Sequence, residues 1–331
     1  MADTLSIPPI KGGWNTGVIK NHLMKDMIFM PSRYSRMVLD IPDWIKTNSY
    51  DREKFLKTYE LVKRNRINTV CVHANCPNRY ECFSNRTATF MILGDKCSRD
   101  CRYCNVKHGI PASVADEPEQ ISRFVEILGL KYVVITSVTR DDLEDGGASV
   151  FVECVNQIKE KNNDIRIELL IPDLKGNWDA LAKIVETDVD VLNHNIEIVE
   201  RLFSGLRPDA DYKRSLELLK KVKEINPLMK TKSGLMIGFG ETKDDIVKTL
   251  KDLRGNGVEF LSIGQYLSPS ANHAKVEKYY SEQEFDDLKQ IALYLGFVHV
   301  ESGPLVRSSY HAHLYEEVNT NLNLNIIENK K

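Results

Sequence analysis

Apolar residues in this chain come in short runs separated by amphipathic stretches. The runs "ATFMIL" (88–93), "YVVITS" (132–137), "IRIELLI" (165–171), "VDVLNHN" (189–195), "KTKSGLMI" (230–237) and "VEFLSIG" (258–264) read as strands, with a weaker one, "FVHV", at 297–300. Between them, "EPEQISRFVEILG", "GASVFVECVNQIKEK", "NWDALAKIVE", "DYKRSLELLKKVKEI" and "TKDDIVKTLKDLRGNG" read as helices. Repeated β-then-α units with nearly continuous apolar strands predict a parallel sheet with helices on one or both faces. An open doubly wound sheet and a partial barrel both fit this pattern. Ligands sit at the carboxyl ends of the strands in either architecture. Polar residues gather there in "SVTRDDLEDGG", "PDLKG", "NHNIE", "GFGET" and "QYLSPS".

The pattern is different upstream. Residues 1–40 have little periodicity and read as a loosely ordered arm or a cover, while "DREKFLKTYELVKRNRI" reads as a helix. The 331 residues carry 45 basic and 47 acidic side chains, a formal charge of −2. That balance gives no reason to expect a nucleic-acid or membrane-surface partner. No apolar run approaches the roughly 18–20 residues that span a bilayer. Lys11, Lys20, Lys25, Arg33 and Arg36 against Asp26 allow an organelle-targeting reading of the arm, although Asp3 intrudes. Clustered cysteines in such a chain favour a reducing compartment and metal binding.

Six of the seven cysteines lie within residues 71–104, in two groups of three. The second group, "CSRDCRYC", places Cys97, Cys101 and Cys104 at C-x3-C-x2-C, directly after the first strand. Three soft thiolates on a short loop can hold three corners of a [4Fe–4S] cubane and leave one iron open to a substrate or cofactor. A zinc site completed by His108 or a distant ligand is the alternative, although zinc ligands more commonly come as two separated pairs. The first group, Cys71, Cys76 and Cys82 in "CVHANCPNRYEC", has the spacing C-x4-C-x5-C and also lacks a fourth thiolate. Cys154, inside "GASVFVECVNQI", reads as a core residue.

The second triplet, the aromatic Tyr103 before its last cysteine and "GLMIGFGE" (234–241) resemble the radical S-adenosylmethionine (SAM) enzymes. The wider set is more specific. "NTVC", "NCPN", "EC", "TATFMILGDKCSRDCRYC", "VVITSVTRDDLEDGGA", "LNHNIE", "KSGLMIGFGET", "IGQYLSPS" and "SGPLVRSSYHA" resemble, in order, the lipoyl synthases, over residues 44–312. Val72, His73 and Asp100 depart from the usual pattern of that family without touching a ligand. His73 reads as a surface or supporting group, not as an extra ligand.

The resemblance implies a partial six-stranded (β/α) barrel, an α/β fold of the radical SAM type. N- and C-terminal extensions would cover its mouth. The implied layout is an arm (1–40), an extension with the first triplet (41–87), a barrel core (88–301) and a tail with "RSSY" (302–331). It implies two [4Fe–4S] clusters, one on Cys97, Cys101 and Cys104 and open to SAM. The other, an auxiliary cluster on Cys71, Cys76 and Cys82, takes a serine of "RSSY" as fourth ligand: Ser309, with Ser308 as the fallback. Ser309 and Arg307 are the implied catalytic pair. Tyr103, Gly146, Gly147, Asn195, Glu197 and Gly238 are candidate SAM contacts, the glycines as points of close backbone approach.

The implied reaction inserts sulfur at C6 and C8 of an octanoyl chain on a lysine of a lipoyl carrier domain or H protein. Such carbons have no useful acidity, so radicals made from two SAM molecules must take the hydrogens. The auxiliary cluster would be the sulfur source. An electron donor such as ferredoxin or flavodoxin and a cluster-repair carrier complete the implied partners. The expected location is the cytoplasm, or mitochondria if the arm is a transit segment. Three rivals remain. A two-cluster methylthiotransferase would bring a basic RNA-binding domain, an electron carrier would ligate its clusters fully, and a zinc scaffold would hold no iron.

Overall fold

The computed structural model describes residues 42, 44–45, 50–111, 116–310 and 312. The arm at 1–40, with its targeting reading, and the tail beyond 312 lie outside the described residues. A helix α1 (Arg52–Arg64), capped by Asp51, and two short helices α2 (Val70–His73) and α3 (Arg79–Ser84) precede the sheet. Phe55 of α1 packs against Tyr80 and Phe83 of α3, with ring centroids 5.0 and 6.0 Å apart, so the first cysteine segment is seated on an aromatic cluster.

Seven strands then form one parallel sheet: β1 (Thr89–Ile92), β4 (Tyr132–Ser137), β5 (Arg166–Leu170), β6 (Val191–Asn193), β7 (Lys230–Ile237), β8 (Phe260–Gln265) and β9 (His299–Gly303). A two-stranded ribbon, β2 (Lys96–Cys97) with β3 (Lys107–His108), stands apart. The order within the sheet is the order along the chain. A doubly wound sheet reverses its strand order at a switch point; this one does not, so its winding is that of a β/α barrel. Strands β1 and β9 form its two ends, and the described sheet stays open between them.

Among the described residues the sheet has seven strands, one more than the expected six. The weak run at 297–300 becomes the full strand β9, paired to β8 from Phe260↔His299 to Gly264↔Gly303. Its apolar signal is faint because His299 and Glu301 alternate with Val300 and bond each other at 2.8 Å.

Helices α4 (Glu117–Leu128), α5 (Ala148–Lys161), α6 (Trp178–Val185), α8 (Tyr212–Ile225), α9 (Lys243–Gly255) and α10 (Glu282–Tyr294) connect the strands, with a short α7 (Phe203–Leu206) before α8. Each buries one stripe. On α4 the stripe is Ile121, Phe124, Val125 and Leu128, and Gly129 ends the helix at φ 63°. Each fully buried side chain of this kind contributes about 1.5–3 kcal/mol. Cys154 is buried in α5 among such residues, as a core thiol.

The two sheet faces differ. Leu261 and Ile263 of β8 join the main core, whereas Phe260 clusters on the other side with Val134, Val191 and Ala312. Period-two alternation sends Ser262 and Gly264 to that second face, where Glu168 and Lys232 form a buried ion pair at 3.1 Å. Ala312 in this cluster means that the chain, after "RSSY", returns to the inner face of the sheet.

Candidate active site

The loop after β1 carries the second triplet, and it is anchored from beneath. Buried Arg99, between Cys97 and Cys101, bonds both Asp141 oxygens at 2.7 and 2.9 Å and Asp173 at 2.6 Å. Asp173 also accepts from Arg214 Nε at 2.9 Å. These aspartates sit in the loops after β4 and β5, so one guanidinium ties the cysteine loop to two strand ends. Ser98 bonds the Thr139 carbonyl, and the Thr139 amide points at Cys97 Sγ, 3.3 Å away. Two positively charged partners outweigh the burial of Asp173 and hold its carboxyl well below the usual carboxylate range.

This arrangement carries a prediction. Asp173→Asn should cost about 3–5 kcal/mol in urea unfolding, because it leaves a buried guanidinium short of an anion. A depressed pKa contributes stability above the unfolded carboxylate value of about 3.9, lost as the pH falls towards the folded value. Wild type should therefore lose stability in acid along a limb that the variant lacks; parallel limbs would refute this.

Cys97, Cys101 and Cys104 are partly buried and electrostatically coupled. Burial, then the neighbouring thiols, push Cys104 up to about 12. Burial also raises Cys101, opposed by Arg207 and the Tyr103 hydroxyl. Arg207, after α7, was absent from the sequence reading, because an Arg before Pro208 has no motif or periodicity to mark it. Its guanidinium faces Tyr103, Glu197, Cys101 and Asp173, whose combined effect outweighs burial and keeps it charged. Glu197 stands at φ 69°, an uncommon backbone state for a non-glycine, and is bonded by Asn195 Nδ2 at 3.1 Å. Tyr103 packs edge-on against Phe239, which stacks on Tyr266 at 4.1 Å.

The first triplet gathers separately. Cys71 is pushed up to about 12 by burial and by Cys76, and burial with Cys71 and Cys76 raises Cys82 further. Cys76 is raised by burial, with Arg307 and Arg79 opposing. The segments touch where Asn105 Nδ2 donates to the His73 carbonyl at 3.0 Å. His73 spends its ring nitrogen on the Thr69 carbonyl at 2.9 Å, a supporting role.

The "RSSY" strap folds back over both. Asn78 Nδ2 donates to the Leu305 carbonyl at 2.7 Å, and the Tyr310 hydroxyl to Glu81 at 2.9 Å. Arg307 acts on Cys76 and on Glu197, so its charge lies between the two groups. Ser308 Oγ accepts from Asn195 Nδ2 at 3.2 Å, whereas the Ser309 hydroxyl bonds no other described residue.

The glycines are explained by the chain itself. A Cβ on Gly146 would meet Leu174, and one on Gly147, at φ 90°, would meet the Leu93 side chain. At each of these two Cβ positions the space is taken by a leucine of the chain itself. At Gly238, φ is 119° and a Cβ would strike Gln265 and the Lys278 carbonyl, while Glu241 accepts its N–H at 2.7 Å. These three positions shape the turns behind the site.

The donor chemistry fits iron–sulfur clusters: two triplets of grouped thiols, each with a cation at hand. Among the described residues, no three His, Cys, Asp or Glu converge tightly enough to hold a single ion. His108 is exposed on the ribbon, opposite Cys97 in its register. Buried oxygens of Ser137, Asn195 and Ser262, with no hydrogen-bond partner among the described residues, offer acceptors for a polar ligand near the strand ends.

The radical SAM superfamily profile matches residues 91–253. Lipoyl synthase from Caldicellulosiruptor bescii is 51% identical over 282 residues, covering 85% of this chain and 97% of that one. Lipoyl synthase from Vibrio parahaemolyticus is 51% identical over 286 residues, covering 86% and 89%. A solved methylornithine synthase superposes with a TM-score of 0.46 at 14% identity, covering 76% of this chain and 79% of its own. No described helix is long and apolar enough to cross a membrane. Half the residues shared with named lipoyl synthases, over nearly their whole length, decides what the cysteine spacing raised: this chain belongs to the lipoyl synthase family of radical SAM enzymes.

Proposed function

We propose that the chain inserts two sulfur atoms, at C6 and C8, into an octanoyl chain carried on a lysine of a lipoyl carrier domain or H protein. The observation that carries this reading is the meeting of two thiol triplets under one C-terminal strap. One triplet suffices to cleave SAM; a second thiol group beside it suits an enzyme that must also supply sulfur. When bound, the Cys97/Cys101/Cys104 cluster with SAM supplies a carbon radical able to take hydrogen from an unactivated carbon, and the Cys71/Cys76/Cys82 cluster supplies sulfide.

The remaining side chains bind and orient. Arg207, held charged beside Cys101, suits the SAM carboxylate. Asn195 and Glu197 offer acceptors to the ribose hydroxyls. Tyr103, Phe239 and Tyr266 form an aromatic wall that limits water access. Ser309, whose hydroxyl is uncommitted among the described residues, is the fourth ligand of the auxiliary cluster. Its oxygen is harder than a thiolate and so a weaker partner for iron. Arg307 compensates the charge of the auxiliary thiolates.

Seven free thiols suit a reducing compartment, and we assign the cytoplasm. The mitochondrial alternative rested on the arm, and the bacterial relatives give it no support. A low-potential electron donor such as ferredoxin or flavodoxin and a cluster-repair carrier would serve the cycle.

The test is mass spectrometry of an octanoyl-lysine carrier incubated anaerobically with reconstituted protein, SAM and dithionite. The expected product has two sulfurs in place of two hydrogens, with two 5′-deoxyadenosines formed per product. SAM cleavage without sulfur addition to any octanoylated carrier would sink the proposal.

A further inference from the structure

We infer that SAM occupancy and the seating of the C-terminal strap are coupled through the side-chain amide of Asn195. This rests on the reading above that Asn195 faces SAM. Asn195 Nδ2 has two hydrogens and uses both, towards Glu197 Oε1 at 3.1 Å and Ser308 Oγ at 3.2 Å. Its Oδ1 is buried and has no partner among the described residues. Gly234 of β7 lets two side chains close on its backbone: a Cβ there would lie 2.7 Å from Asn195 Oδ1 and 3.0 Å from Ser262 Oγ. Ser262 Oγ is likewise buried without a partner among the described residues. Two buried oxygens thus lie close together, each short of a hydrogen bond, which calls for a hydroxyl donor. A vicinal diol, as on a ribose, supplies it.

The same amide therefore has a ligand face and a strap face. A hydroxyl donating to Oδ1 polarises the amide and strengthens its N–H towards Ser308. In the other direction, Ser308 holds the amide in the orientation that SAM needs. Such coupling is reciprocal by thermodynamic necessity.

The strap can transmit this because it is pinned elsewhere. Leu305 is held by Asn78, Tyr310 by Glu81, and Ala312 sits among Val134, Val191 and Phe260. At Gly264 a Cβ would strike the Val306 carbonyl, so this strand has no side chain where the strap crosses it. Ser308 is the point of the strap that touches the SAM side, and Ser309 follows it directly. SAM loading then steadies the serine that the auxiliary cluster needs.

The experiment is hydrogen–deuterium exchange across residues 305–310, on the reconstituted full chain without reductant, with and without SAM. SAM affinity is measured in parallel by equilibrium dialysis. In wild type, SAM should slow exchange across the strap. Ser308→Ala should abolish that protection and weaken SAM binding about twofold to threefold, because only the SAM-dependent part of that hydrogen bond enters the affinity. Tyr310→Phe, which loosens the strap away from Asn195, should raise basal exchange yet keep the SAM-induced protection. Undiminished protection or unchanged affinity in Ser308→Ala overturns the coupling, as does SAM binding to wild type with no protection. Failure of wild type to bind SAM overturns the reading of the site and the coupling with it.

Discussion

Cys101→Ala is expected to reduce SAM cleavage to the level of cluster-free protein and to remove about four irons per chain after anaerobic reconstitution. The loss should be total, because three thiolates are the smallest set that can hold three corners of a cubane. Cys101 is also the thiol that Arg207 and Tyr103 both address. The fold should survive. The loop is fixed by Arg99, Asp141 and Asp173, none of which the substitution touches, and losing one partly buried thiol should cost about 1 kcal/mol. The measurements are iron and sulfide content, 5′-deoxyadenosine by chromatography, and far-UV circular dichroism. A folded variant that still cleaves SAM would show that these cysteines do not hold the SAM cluster.

Cys76→Ala is expected to do the opposite to half of the activity. About four irons should again be lost, but SAM cleavage should continue while sulfur insertion stops. The reason is spatial. Cys76 groups with Cys71 and Cys82 under the strap, and its compensating cations are Arg307 and Arg79, not Arg207. The two triplets are thus served by different charges. Continued product formation by the variant would place the sulfur source elsewhere. Loss of SAM cleavage along with insertion would mean that the triplets do not act as separate centres.

Much of the frame was legible before the structure. The runs at 132–137 and 230–237 are strands over those same residues, and the others differ only at their ends, because a parallel strand buried on both faces is continuously apolar. β9 was faint because its inward residues are His299 and Glu301. The glycines at 146, 147 and 238 were visible as glycines, but their cause was not. Leu174, Leu93 and Gln265 fill the space beside them, and nothing local to those positions announces such neighbours.

The sequence by itself determined the parallel β/α order, the two cysteine triplets with their distinct spacings, and the family resemblance that the relatives bear out. All of these are encoded within a few residues of one another, in periodicity or spacing along one segment. Only the tertiary structure placed Arg207 beside Cys101, joined Arg99 to two aspartates from different loops, and set Ser308 against Asn195, 113 residues away. Those pairings depend on which strand ends the sheet brings side by side. Order along the sheet fixes that, and a lone charged or hydroxyl residue in a loop carries no local trace of it.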